Sequence, residues 1–427
     1  MASTANNPAR QPASDLRTAA EEVLRTLVDA GHEAYFAGGC VRDKLLGIEP
    51  VDYDIATSAK PDQVAKLFRR TQHVGESFGV VLVSSHEHQI EVATFRTDGV
   101  YSDGRHPETV TYSDAEHDAQ RRDFTINGLF ENPLTNEIID LVGGQADLNA
   151  KTIRAIGDAS DRLREDRLRM LRAVRFAARF GFAIEQRTAE AIRCMASDLK
   201  GVSRERIGGE LKRMLSHENR VVAARELQNL GLDSAVLDEA NLTSATTRLE
   251  GLPKTAPYPT ALVAWLLDRH EATDDRLKER AQRWSRSLLL SNAEHQQVTR
   301  CLAIYQTLRT DWSGLGIAKQ KRLASQAEFA EAMAILQSIE PEELIDIRRH
   351  IAALAETGLQ PTPLIDGNDL AEAGLTPGPL FGRVLESVYD AQLEGSVPDR
   401  AAALELATAL AKAFTEADGS GDRSSWQ

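Results

Sequence analysis

Apolar positions along residues 15–30 recur at helical spacing. Leu16, Ala19, Ala20, Val23, Leu24 and Leu27 fall on one face, which predicts an amphipathic opening helix. The pattern then changes to short β-rich runs at residues 34–37, 52–56, 78–84, 88–95 and 109–112, with similar runs at 137–141 and 152–156. A helix is expected at 62–70, between the second and third runs. Strands and helices mixed in this order predict a compact α/β or α+β unit over about residues 15–158. Beyond Gly157 the strand pattern stops. Residues 161–427 read almost wholly as helices, broken at Gly201, Gly231, 253–259, Asn292, Pro341 and 361–363. The fold class taken as the expectation is α+β. A small mixed-sheet head is followed by an all-helical neck (159–245), body (246–340) and tail (341–417). The ends, 1–14 and 418–427, are expected to be disordered.

Composition adds limits. The 427 residues contain no apolar run long enough to span a bilayer, and the N-terminus lacks the apolar centre of a secretory signal. Three cysteines, Cys40, Cys194 and Cys301, lie far apart, which argues against a disulfide framework and fits a reducing cytoplasm. The formal net charge of −14 argues at first against a nucleic-acid partner. The charge is uneven, however. Residues 161–213 carry 14 basic against eight acidic side chains, whereas residues 340–427 carry 16 acidic against six basic. One confined basic surface remains compatible with RNA.

The chemistry concentrates in Gly38-Gly39-Cys40-Val41-Arg42-Asp43, followed by Asp52-Tyr53-Asp54-Ile55. Paired glycines after a strand let backbone approach a phosphate, and the Arg42 guanidinium could hold one. On a strand, Asp52 and Asp54 would share a face and repel each other unless a cation sits between them. Mg²⁺, a hard cation that favours a few carboxylates plus substrate phosphates, suits that geometry. Two-metal chemistry at such a pair activates an attacking hydroxyl and stabilises a departing pyrophosphate. The plainer alternative is a glycine turn and a solvent-facing acidic strand. The combined spacing resembles the signature of the polymerase-β-like nucleotidyltransferase superfamily. There a third carboxylate often comes from a neighbouring strand; Glu91 is the candidate, with a salt bridge to Arg96 as its alternative meaning.

Next comes Arg121-Arg122-Asp123-Phe124-Thr125-Ile126-Asn127-Gly128, dense enough in arginine, acid and amide to bind triphosphate and ribose. Alone it would read as a helix start capped by Asp123. Taken in order, residues 38–57, 121–127, 140–148 and Glu165-Asp166-Arg167-Leu168-Arg169 resemble the bacterial class II tRNA nucleotidyltransferase and poly(A) polymerase family over about residues 30–215. A weaker likeness lies in Leu364-Ile365-Asp366-Gly367-Asn368-Asp369-Leu370 and Gly374-Leu375-Thr376-Pro377-Gly378-Pro379. The resemblance implies that Gly38, Gly39 and Arg42 contact nucleotide phosphates and that Asp52 and Asp54 bind Mg²⁺. It puts Arg122 on the incoming nucleotide, Asp123 and Asn127 on the ribose side, and Arg172 and Arg175 in the nucleotide pocket. Residues 140–148 would form a hinge, and 203–207 would shape the neck.

Base choice has its own physical logic. Asp166 and Arg169, three apart on an expected helix, would share a face. Cytosine and adenine both present an amino donor beside a ring-nitrogen acceptor, matching an Asp acceptor and an Arg donor. Uracil and guanine present the reverse and would leave buried polar groups unpaired. The alternative is an ordinary helix salt bridge. Residues 161–179 hold seven arginines and three acids, with Arg169, Arg172 and Arg175 forming one stripe. The loop at 97–120 corresponds to a flexible family segment that helps switch from C to A addition; Arg105 is its candidate lever, against a plain surface loop. The ten histidines form no metal-ligand cluster, and no serine or cysteine has nucleophile context.

The expected activity is CCA addition to tRNA from CTP and ATP. The alternatives are a poly(A) polymerase, an enzyme adding only A or only CC, and a catalytically inactive RNA-binding protein. The acidic end of the chain disfavours the poly(A) polymerase, and intact Asp52, Asp54, Asp166 and Arg169 disfavour the inactive protein.

Overall fold

The computed structural model describes residues 13–74, 79–99, 109–240, 242 and 244–420. The expected loop lever Arg105, and most of the two expected disordered ends, lie outside the described residues. By packing, the chain divides into one unit of residues 1–243 with 283–289 and a second of 244–282 with 290–427.

The first unit is built on a seven-stranded sheet. Its strands are β1 (Ala34–Ala37), β2 (Asp54–Thr57), β3 (Thr71–His73), β4 (Val80–Ser85), β5 (His88–Thr94), β8 (Leu129–Asn132) and β9 (Glu137–Asp140). Their order is β3-β4-β5-β2-β1-β8-β9. Only β2 and β5 run parallel, in the register Asp54 to Glu91. Two small pairs complete the strands: antiparallel β6 (Arg96–Asp98) with β7 (Val110–Tyr112), and parallel β10 (Thr152–Ile153) with β11 (Ala183–Ile184). β11 corrects the expectation that strands end at Gly157, β3, β6 and β8 were not anticipated at all, and the segment 97–120 expected as a loop also forms a helix at Ala115–Gln120. Alternation works as expected on β5, where Ile90, Val92 and Thr94 are buried while Gln89 and Glu91 face outward.

Helix α1 (Ala13–Asp29) lays its fully buried Ala19, Ala20, Val23, Leu24 and Leu27 on β1, β4 and β5. The valine and each leucine contribute about 2 kcal/mol through removal from water, the alanines less than half of that. Short helices follow: α2 (Gly39–Leu45), α3 (Pro61–Leu67), α4 (Ala115–Gln120) and α5 (Gly144–Asn149). The helical part begins with α6 (Ala159–Glu165), α7 (Arg169–Phe180), α8 (Gln186–Met195), α9 (Arg204–Leu215), α10 (Arg220–Asn229) and α11 (Asp233–Leu237). Asp158 caps α6 by accepting the Asp161 N–H, and left-handed Gly181 ends α7. Helix α7 is two-faced: Met170, Leu171, Ala173, Val174 and Ala177 are buried, while its arginines point the other way. It packs against α9 and α10. A Cβ on Gly208 of α9 would stand 2.2 Å from the Leu288 carbonyl oxygen, so glycine is what permits that close contact.

The second unit is all-helical among its described residues: α12 (Thr247–Glu250), α13 (Tyr258–Arg269), α14 (Leu277–Ser287, shared with the first unit), α15 (Asn292–Thr310), α16 (Ile317–Ala324), α17 (Phe329–Gln337), α18 (Pro341–Glu356), α19 (Gly367–Glu372), α20 (Pro379–Leu393) and α21 (Arg400–Ser420). Helix α13 is buried all round and packs on α12, α15 and α17. A separate core joins α19, α20 and α21 through Leu370, Val384, Val388, Ala403 and Ala407. Helix α21 continues to Ser420, past the expected end of order at 417. No described helix is long and apolar enough to cross a membrane.

Candidate active site

Strand β1 ends at Ala37, and the chain turns through Gly38, whose φ of 71° favours glycine, into α2. A Cβ there would stand 2.7 Å from Nη1 of Arg122. This turn borders a cleft of about 560 Å³ within the first unit. Gly38, Gly39, Asp52 and Asp54 line the cleft, as do Arg122, Asp123 and Asn127, and Asp166, Arg169, Arg172 and Arg175. Twelve of the thirteen site residues anticipated from sequence therefore converge, Arg42 among them. Glu91 is not part of the lining, but on β5 it is the register partner of Asp54.

On the acidic side of the cleft, burial and mutual repulsion outweigh the nearby arginines. Contrary to expectation Asp52 does not lie on the strand, because β2 begins only at Asp54; Asp52 occupies the irregular segment before it. Asp54 is exposed to the cleft, yet surrounding protein desolvates it, and Glu91 and Asp52 add repulsion. Together these push its carboxyl up to about 7, against the pull of Arg122. Glu91 is also raised, by desolvation and then by Asp52, against the pull of Arg96, its expected alternative partner. Arg96 stands 3.0 Å from Asp98. Among the described residues no group of three or more His, Cys, Asp or Glu is arranged to hold a metal ion by itself. Two hard carboxylates at an open cleft, crowded by a third acid, fit a divalent cation that draws its remaining ligands from substrate phosphates and water.

The basic side is the opposite: each acid there is saturated by arginine. Buried Asp123 accepts from Arg172 at 2.7 Å and from the Asn127 amide at 2.9 Å. Burial alone would raise Asp123, but Arg172, the Asn127 hydrogen bond and nearby Arg169 outweigh it and hold the carboxyl at about 2. Asp123 does not cap a helix, since the short 3₁₀ turn Thr125–Asn127 follows Phe124. Asp43 pairs with Arg42 and, at 3.0 Å, with Arg179. Arg42 is buried rather than free: it donates to Asp43 and Asn127, and its guanidinium lies 5.1 Å from the Phe176 ring and 4.8 Å from that of Phe180. Arg175 stands 2.7 Å from Glu210.

The pair expected to share a helix does not. Helix α6 stops at Glu165, Asp166 is extended, and α7 starts at Arg169. Asp166 accepts the Leu168 N–H at 3.0 Å, closing a local turn, and accepts from Arg206 at 2.7 Å. Arg169 donates to the Glu165 carboxylate, to the Arg162 carbonyl at 2.7 Å and to the Arg121 carbonyl at 3.1 Å. Neither the shared helix face nor the plain salt bridge between the two is present; both side chains nevertheless reach the cleft. In the segment expected to be a hinge, the Asp140 carboxylate accepts the backbone N–H groups of Val142, Gly143, Gly144 and Gln145.

Arg179, on the arginine run expected to face phosphate, does line the cleft, whereas sequence reasoning missed Asp43, Asp118 and Glu210, the acids that anchor this wall's arginines. Arg206 had been assigned only to neck shape, though its place in the Ser203-Arg204-Glu205-Arg206 segment was a usable signal.

A glycine turn, strand-borne carboxylates and a facing arginine wall on this sheet define a nucleotidyltransferase. The matching family models are described as "Poly A polymerase head domain" over residues 34–154, "Probable RNA and SrmB- binding site of polymerase A" over 181–241, and tRNA nucleotidyltransferase domain 2 over 272–407. The chain is 33% identical over 406 residues to the CCA-adding enzyme of Lactiplantibacillus plantarum, covering 90% of this chain and 94% of that one. It is 34% identical to the CCA-adding enzyme of Leuconostoc mesenteroides, with the same coverage of 90% and 94%. The chain belongs to the CCA-adding enzyme family. Among solved structures it is similar to the Bacillus stearothermophilus CCA-adding enzyme in complex with CTP, with 27% identity and a TM-score of 0.70 over 96% of this chain and all of that one. The Thermotoga maritima CCA-adding enzyme complexed with tRNA shares the fold, with 21% identity and a TM-score of 0.66 over 94% and 96%.

Proposed function

We propose that this enzyme completes tRNA 3′ ends in the cytoplasm, adding C, C and A from CTP and ATP without a nucleic-acid template. The terminal 3′-hydroxyl oxygen attacks the α-phosphorus of the nucleotide, the α–β phosphoanhydride bond breaks, and pyrophosphate leaves. Asp52 and Asp54 would hold Mg²⁺, which when bound supplies charge neutralisation at the phosphates and acidifies the attacking hydroxyl. Glu91 would tune that pair from the adjacent strand. Gly38 and Gly39 leave room for phosphate, and Arg122 binds the incoming nucleotide. Arg42 supports the phosphate side of the cleft, with Asp123 and Asn127 toward the ribose. Arg172 and Arg175 keep the pocket positive. Asp166 accepts from the amino group of C or A, and Arg169 donates to the ring nitrogen. Residues 140–148 serve as the hinge. The helical neck, body and tail (159–245, 246–340 and 341–417) hold the RNA by shape and phosphate contacts.

The observation that carries this reading is the placement of Asp166 and Arg169 in the same cleft as Asp52 and Asp54. The test supplies single labelled nucleotides, with Mg²⁺, to tRNA lacking CCA, tRNA ending in C, tRNA ending in CC and a generic RNA. Ordered C, C, A addition that stops is expected. Long A tracts on generic RNA would establish the poly(A) polymerase alternative instead.

A further inference from the structure

Asp118 lies on α4 and is almost wholly buried, at 1% exposure. It meets two cationic side chains, and they are consecutive residues on the edge of the cleft. One carboxylate oxygen accepts Nε of Arg121 at 2.8 Å and its Nη2 at 2.6 Å. The other accepts Nη2 of Arg122 at 3.0 Å and Nε at 3.3 Å. Arg122 thus spends one edge of its fork on Asp118. Its Nη1 remains beside the Gly38 turn, donating to the Asn127 carbonyl at 3.3 Å. The guanidinium also lies 5.1 Å from the Phe130 ring, which limits its rotation. Asp118 reaches the β6–β7 hairpin too: it accepts the Arg96 backbone N–H at 3.4 Å, and Arg121 stands 3.6 Å from Asp98. A guanidinium held by its Nε edge keeps a fixed direction, which a freely rotating cation does not.

We infer that Asp118 is a positioning residue for nucleotide binding: it holds the Arg122 fork edge-on to the cleft and ties that orientation to the β6–β7 hairpin. The inference rests on Arg122 contacting the incoming nucleotide, as proposed above.

The test is steady-state CTP addition by the full chain to tRNA lacking its CCA end. Asp118→Asn should raise KM for CTP about tenfold and change kcat by less than about twofold, since binding is lost and chemistry is not. Arg122→Ala should raise KM similarly, and the double variant should do no more than Arg122→Ala alone. Arg122→Lys keeps the charge but cannot be held by one edge while presenting another, so KM should rise there too. That variant tests the idea even if Asp118→Asn fails to fold. An Asp118→Asn effect of full size in the Arg122→Ala background would overturn the inference, as would a fall in kcat at unchanged KM or a wild-type KM for Arg122→Lys. If Arg122→Ala leaves KM unchanged, the nucleotide contact itself is wrong.

Discussion

The two walls of one cleft treat carboxylates in opposite ways. At Asp52, Asp54 and Glu91, acids crowd one another, and Asp54 is pushed up to about 7. At Asp43, Asp118 and Asp123, each acid is buried and met by arginine, and Asp123 is held at about 2. A fold gains nothing from acids whose burial and repulsion outweigh the nearby arginines, so the first group is kept for a ligand that arrives with positive charge. The second group fixes the arginines that face the substrate.

The largest effect should follow from emptying the acidic wall. Asp52→Ala is expected to lower nucleotide incorporation by about a thousandfold or more while leaving the protein folded, read by single-turnover incorporation and circular dichroism. Next comes the base-reading position. Asp166→Asn should cut the preference for CTP over UTP by about a hundredfold, measured as a ratio of kcat/KM values. Asp123→Asn attacks the scaffold instead. Because Arg172 is about a third exposed, its loss of a partner should cost about 2 kcal/mol in urea unfolding. The pH dependence follows from the depressed carboxyl. Its stabilisation is complete above about pH 4, the unfolded value, and fades as pH falls toward 2, so the variant should lose least relative to wild type in acid. The smallest effect belongs to the second unit: Asp346→Ala breaks an exposed pair with Arg349 and should leave Tm unchanged.

Much of the head was legible because its strands alternate and its apolar helix face is clean. Strand β8 escaped because Leu129, Phe130 and Glu131 are all buried, which erases the alternation that marks a half-buried strand. The break at Asp166 escaped because no Gly or Pro marks it; a side-chain-to-backbone turn interrupts a run of good helix formers. The chemistry-bearing motifs could be located because their residues are close in sequence. Two supporting acids could not, since their meaning comes from distant partners: Asp43 meets Arg179 from 136 residues away, and Glu210 meets Arg175 from another helix; Asp118 pairs locally with Arg121 and Arg122, but its burial, which makes the pairing matter, is set by the fold.

The contrast between the walls is most directly tested by the Tm of Asp54→Asn against wild type from pH 5 to pH 8 in buffer free of divalent cations. A carboxyl raised to about 7 destabilises the fold only once ionised, so its penalty grows as pH rises and is complete above that value. Asp54→Asn should therefore melt higher than wild type at pH 8, with the gap closing toward pH 5, although it no longer incorporates nucleotide. A variant that melts lower than wild type at pH 8 would mean that Asp54 serves the fold, and the distinction between the two walls would fall.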